Sequence, residues 1–298
     1  MEIELFAGSG GPGLTQECPP DEPDARIRRI RSRRFVEYAA GAAVLDRLAW
    51  LYEHPKVLRP PCSLIYGDTN NGKTAIAHKF ARDNSPGEES PEYGKTPILY
   101  VQSPPYADLG GFYDAMLRSL NAPQRVSARP QAKWDQLLRL LSSARTRVLI
   151  LDEVNNLLVG KADHRHMVLN SLKSLSNELQ IPIVAIGTQD AVRVFQTDQQ
   201  LGNRFEPMGI PRWTASKDYA VFIARFVQRL ELKYESNFRS KELVDRIHRM
   251  SEGLTGETCK LLALAAEIAI RSDREIIDMG TMDQLPWVMP SERRKTAR

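Results

Sequence analysis

Gly67-Asp68-Thr69-Asn70-Asn71-Gly72-Lys73-Thr74 sets a glycine, a polar turn and a second glycine ahead of a lysine and a hydroxyl. Glycines at those positions let backbone amides turn inward around an anion, and a helix that starts at the lysine adds its partial positive charge. Lys73 can then reach the outer phosphates of a nucleoside triphosphate such as ATP, and the Thr74 hydroxyl can ligate Mg2+. An apolar run before the turn (63–66) and a helical pattern after it (75–82) set this apart from a chance Gly-Lys-Thr in a loop.

Three further groups complete the chemistry. Val148-Leu149-Ile150-Leu151-Asp152-Glu153 is a buried strand ending in adjacent carboxylates. Asp152 would hold the magnesium, and Glu153 would orient and polarise the attacking water, because phosphoryl transfer needs positioning and charge compensation. Alone, such an ending is as much a strand cap as a site; its partnership with Lys73 gives it meaning. After the run at 183–186 and Gly187, Thr188 or Gln189 could sense the γ-phosphate, or could simply end the strand as turn residues. Arg204 follows a polar helix and precedes another apolar run, where an arginine can enter a neighbouring subunit's site in trans. Hydrolysis would then require assembly.

The elements that must position these groups follow from periodicity. Short apolar runs at 63–66, 98–101, 148–151, 183–186 and 208–210 alternate with helical stretches. Strands alternating with helices predict an α/β fold, a parallel sheet flanked by helices on both faces. Trp134, Leu137, Leu138 and Leu141 form the apolar stripe of one covering helix over 132–143. After Trp213 the strand pattern stops, and 217–234, 241–250 and 257–271 predict a small all-helical domain. The expected organisation is a flexible arm at 1–25, a basic helical segment at 26–61, a nucleotide-binding domain at 62–213, a helical lid at 214–290 and a loose basic tail at 291–298.

Composition narrows the classes. Cys18, Cys62 and Cys259 are odd in number and far apart, which argues against a disulfide framework and for a reducing, cytoplasmic compartment. No run of apolar residues is long enough to span a membrane, and the start lacks a secretion signal. His164 and His166 beside Asp163 lie in a polar stretch with no third ligand nearby, so surface histidines are expected there. A net charge of +4 suits an anionic partner but is common elsewhere.

The order of these motifs, with helices after them, resembles the AAA+ superfamily of P-loop ATPases over roughly residues 35–275. Within it, Arg59-Pro60-Pro61-Cys62-Ser63-Leu64-Ile65-Tyr66-Gly67 leading into Asn71-Gly72-Lys73-Thr74 resembles the TniB/TnsC group of transposition ATPases. Gly187-Thr188 with Ala191, Asn203-Arg204-Phe205 before Pro211-Arg212-Trp213, and the basic stretch 26–38 belong to the same resemblance. It implies ATP and Mg2+ as cofactors and an ATP-bound homo-oligomer, ring or helical filament, on double-stranded DNA. It also implies partners: a TniQ-type target selector and a DDE transposase, with ATP hydrolysis driving disassembly. The DNA association would place the protein at the nucleoid. The family's lid helix opens with Gly followed by an arginine that reaches the nucleotide; here Gly256 is followed by Glu257, with Lys260 one turn further on. An acid cannot compensate phosphate charge, so slow turnover is expected.

Arg118, Arg125, Arg129 and Lys133 surround a loop-like stretch at 121–130 that in the family faces the central DNA; solvated surface charge is the alternative for each. Arg26, Arg28, Arg29, Arg31, Arg33 and Arg34 repel one another unless nucleic acid or an acidic protein surface neutralises them. Trp213 suits a partner contact or packing between the sheet domain and the lid. A helicase loader or replication initiator would share every nucleotide motif. A scaffold that uses ATP only for assembly, with negligible hydrolysis, is the other alternative.

Overall fold

The computed structural model describes residues 22–32, 35–87, 89, 90, 92, 94–123, 125 and 127–296. Most of the arm, together with Cys18, Arg33, Arg34 and Arg298, lies outside them. In chain order the elements are α1 (Pro23–Ile30), α2 (Ala39–Glu53), β1 (Cys62–Gly67), α3 (Lys73–Asp83), β2 (Ile98–Gln102), α4 (Leu109–Ser119) and α5 (Pro130–Ser143). There follow β3 (Val148–Asp152), α6 (Ala162–Leu179), β4 (Ile183–Gly187), α7 (Gln189–Thr197), α8 (Gln199–Gly202) and β5 (Phe205–Ile210). The remainder is helical: α9 (Lys217–Val227), α10 (Lys241–Ser251), α11 (Thr255–Arg271), α12 (Met279–Asp283) and α13 (Pro290–Thr296). The chain divides into two compact units, Ala39–Pro211 and a second that joins Met1–Tyr38 to Arg212–Arg298.

The first unit is a parallel sheet in the order β2-β3-β4-β1-β5. Both central runs, Val148–Asp152 and Ile183–Gly187, are buried throughout, as strands covered on two faces must be. Helix α5 starts at Pro130, where a missing N–H costs nothing, and buries Leu137 and Leu141. The core joins these to Phe112, Met116, Leu172 and Leu175 from α4 and α6. Strand β5 begins at Phe205, earlier than the run at 208–210 suggests, because Glu206 and Pro207 mask it. An edge strand accepts an exposed charge and a proline that a central strand would not. Since all five strands are parallel, their carboxyl ends share one edge, where ligands of open α/β sheets bind.

The second unit is built on α11, which buries Leu261, Leu262, Ala265, Ala266 and Ala269. Helix α1 packs here, against α11, so the segment expected to run from 26 to 61 is shared between the two units. Ile27 and Ile30 supply its apolar contacts, and Arg26 forms a buried pair with Glu275 at 2.8 Å. Arg29 meets Glu231 at 2.7 Å and Arg31 meets Glu267 at 2.6 Å. The acidic surface facing these three arginines is therefore the chain's own. The helix expected over 217–234 ends at Val227; a tighter turn, Gln228–Leu230, follows, and Glu231 takes a left-handed conformation with φ 58°. That reversal presents the Glu231 carbonyl to Arg26 and its carboxylate to Arg29. The tail is helical from Pro290 to Thr296 rather than loose, because Arg293 stacks on Trp287 at 4.8 Å and pairs with Glu257 at 2.7 Å. Trp213 packs within this unit against Tyr38 and Phe222 and donates its indole N–H to Thr255.

Candidate nucleotide site

The turn between β1 and α3 is held from below. Gly67 lies so close to β5 that a Cβ there would sit 2.7 Å from the Ile210 carbonyl oxygen. Gly72 has φ 89°, a left-handed backbone that only glycine adopts without strain. Buried Asn71 ties the turn down by donating its amide to the carbonyls of Ile210 and Pro211, both at 3.0 Å. Asp68 and Thr69 are exposed and Asn70 is half-buried with φ 61°, so the upper rim of the turn is open to solvent.

Lys73 begins α3 and is 8% exposed. Its ammonium donates to the Gly67 and Asp68 carbonyls at 2.9 and 2.7 Å. Burial pushes its pKa below the ordinary lysine value, and the carboxylates of Glu153, Asp152 and Asp68 oppose that shift without cancelling it. The Thr74 hydroxyl donates to Asp152 Oδ2 at 2.6 Å, which joins the start of α3 to the end of β3. Asp152 is 2% exposed, and its Oδ1 accepts the Glu153 N–H at 2.7 Å. Glu153 itself is left-handed at φ 55°, a conformation costing a non-glycine residue roughly 1–2 kcal/mol. Such strain concentrates at functional sites. Asn155 donates its amide to Glu153 Oε2 at 3.2 Å, while its buried Oδ1 has no partner among the described residues.

Tyr100 and Asn155 are the two groups that sequence reasoning missed. Tyr100 donates its hydroxyl to Asp152 Oδ2 at 2.6 Å from the neighbouring strand. Asn155 had a local signal, a polar amide two positions after the carboxylate pair; Tyr100 had none, because only strand register brings it near. These residues fit magnesium and a triphosphate: a glycine cradle, a buried cation at its mouth, and a hydroxyl and a carboxylate in contact. That sparse all-oxygen set matches an ion held mainly through phosphates and water.

Thr188 stands at the N-cap position of α7 directly after β4, the strand between β1 and β3, makes no side-chain bond to the helix and is half-buried; Gln189 is exposed in the first turn of that helix. Both leave the sheet at the edge that carries the turn and Asp152. Arg204 is at the opposite edge. Its carbonyl accepts the Cys62 N–H at 3.1 Å, and its guanidinium donates to Asn177 Oδ1 at 2.8 Å on α6. At about 3.3 Å per strand residue, the length of β1 separates Arg204 from its own Gly67 by roughly 17–20 Å. Arg118 is exposed in the last turn of α4, and Arg125 and Arg129 are exposed on the connection from α4 to α5. Lys133 is not: it is 6% exposed, with its ammonium 2.7 Å from Asp114, so it is withdrawn from any anion-facing set. His164 and His166 are exposed on α6.

A family model described as Bacterial TniB protein matches residues 26–215, well over half of the chain. The chain belongs to the TniB family. Among solved structures, this TniB-family chain is similar to the Aeropyrum pernix ORC2 protein in ADPNP and ADP complexes. The TM-score is 0.62 at 17% identity, over 86% of this chain and 70% of that one. The Aeropyrum pernix ORC1 protein in complex with DNA gives 0.58 at 18% identity, over 86% and 64%. A Thermotoga maritima RuvB variant gives 0.52 at 17% identity, over 82% and 67%. At these identities the likeness shows the fold, which is the AAA+ α/β architecture with helices following the sheet. No curated protein matches the TniB-family sequence. No described helix is long and apolar enough to cross a membrane.

Proposed function

We propose that the chain is a slow, assembly-dependent ATPase that polymerises in its ATP-bound form on duplex DNA. In this reading it links a TniQ-type target selector to a DDE transposase, and hydrolysis releases the assembly. One observation carries the reading: Lys73, Thr74, Asp152 and Glu153 meet at the carboxyl edge of the sheet, while Arg204 stands at its amino edge. A subunit so built offers a phosphate site on one side and an arginine on the other.

The chemistry follows from the residues. Lys73 exchanges the carbonyls of Gly67 and Asp68 for phosphate oxygens. Thr74 keeps its proton on Asp152, which leaves its oxygen lone pairs free for a cation. Magnesium supplies charge compensation on the phosphates when bound. Glu153, steadied by Asn155, orients the water, and Thr188 or Gln189 reads the γ-phosphate edge. Arg204 of a neighbouring copy neutralises charge that develops in the transition state. Arg118, Arg125 and Arg129 are the candidates for DNA phosphates.

The test is electron microscopy of the protein on duplex DNA with ATP, a non-hydrolysable analogue and ADP. Rings or filaments with the two triphosphates alone, persisting with ATP in Glu153→Gln, are expected. Absence of assembly under every nucleotide removes the DNA reading. An ATP-gated scaffold is favoured by one observation, the buried Glu257 fastened to Arg293 where the family has an arginine. Single-turnover hydrolysis separates it: no product within the lifetime of the assembly selects the scaffold.

A further inference from the structure

Asp152 accepts three short hydrogen bonds, two from neighbouring elements and one from the residue that follows it. Oδ2 accepts Thr74 Oγ1 from α3 and Tyr100 Oη from β2, both at 2.6 Å, and Oδ1 accepts the Glu153 N–H at 2.7 Å. Strand register explains the Tyr100 contact. Gln102 pairs with Asp152 and Tyr100 with Ile150, so Tyr100 and Asp152 share one face of the sheet and are diagonal neighbours. The ring is braced by His78 of α3, with centroids 4.2 Å apart.

An ionised carboxylate has about four acceptor sites, two on each oxygen. Thr74 and Tyr100 fill those of Oδ2, and the Glu153 amide fills one on Oδ1. Among the described residues, nothing else reaches the carboxylate, so one acceptor site remains, on Oδ1. A carboxylate so engaged can meet a cation, or a water on that cation, through a single lone pair and cannot grip it with both oxygens. Mg2+ accepts that arrangement, because it is small, octahedral and retains its waters, whereas Ca2+ favours more ligands and bidentate carboxylates.

Resting on the nucleotide reading above, we infer that Tyr100 is a positioning residue that keeps Asp152 single-handed and so makes the site select Mg2+ over Ca2+ as the ion accompanying ATP. Tyr100→Phe removes one oxygen and leaves the ring on His78. Affinity for a fluorescent ATP analogue is measured on the full chain in EDTA, in Mg2+ and in Ca2+. The wild-type protein binds more tightly with Mg2+ than with Ca2+. In Tyr100→Phe that preference shrinks about tenfold, the scale on which partners of metal-binding carboxylates act, while the EDTA affinity is unchanged. An unchanged preference overturns the inference and leaves the nucleotide reading intact. Equal weakening in EDTA, Mg2+ and Ca2+ also overturns it, because that is the mark of a packing role. Failure of the wild-type protein to bind ATP in Mg2+ overturns the nucleotide reading and this inference together.

Discussion

Lys73 is a cation kept under cover, and its chemistry depends on holding a proton there. Burial lowers its pKa, so the folded protein loses this charge at a lower pH than an ordinary lysine at about 10.4 would. A lowered value in a base means that phosphate affinity is full on the acid side and declines as pH rises through it. ATP affinity between pH 7 and 10 is therefore expected to fall before the ordinary lysine range is reached, and Lys73→Ala is expected to abolish binding at every pH. A wild-type profile that stays flat to pH 10 contradicts the lowered pKa, and ATP binding retained by Lys73→Ala contradicts the role given to the lysine.

At the scale of elements, α1 is fastened to the helical unit by a buried ion pair. Removing one partner of such a pair costs about 3–5 kcal/mol, because the other is left as a buried unpaired charge. Arg26→Ala should lose that much in denaturant unfolding, since Glu275 is 3% exposed. Burial raises the Glu275 pKa, but the hydrogen bonds and charge of Arg26, aided by Lys233, outweigh it and leave the value lowered. A lowered carboxylate contributes stability that is complete above its unfolded pKa, about 4.3, and is lost as pH falls through the folded one. The wild-type protein should weaken over that acid window, and Arg26→Ala should show a shallower decline. The same pair shows where the sequence was legible. The strands were readable as apolar runs and the turn at 67–74 as a motif, because both are local. What escaped depends on distant partners. Arg26 and Glu275 are 249 positions apart, and Tyr100 reaches Asp152 through strand register alone. The end of α9 was missed because Glu231 is bent to meet α1.

For the whole molecule, the trans role proposed for Arg204 rests on its separation from the phosphate turn of its own copy. Arg204→Ala should retain ATP binding and lower hydrolysis about a thousandfold or more, within the range for arginine fingers. Wild-type activity per subunit should rise with protein concentration, and the variant's should not. Equal rates for both at high concentration would confine Arg204 to its contact with Asn177. On DNA, each phosphate contact contributes about 0.9 to the slope of log affinity against log salt. Replacing Arg125 and Arg129 by alanine should reduce that slope by about 1.8 if both touch phosphate. An unaltered slope would leave them to solvent.

In the proposed assembly, a donor at one end of the sheet and an acceptor at the other give the subunit a direction, and direction has an arithmetic. In an open row of n such subunits, n − 1 sites receive an arginine and the terminal one does not. Activity per subunit therefore climbs as (n − 1)/n, and the unserved terminus holds its ATP longest, which would make it the last subunit to let go. In a closed ring no terminus exists and every site is served. The dependence of turnover on row length would distinguish the two architectures without an image of either.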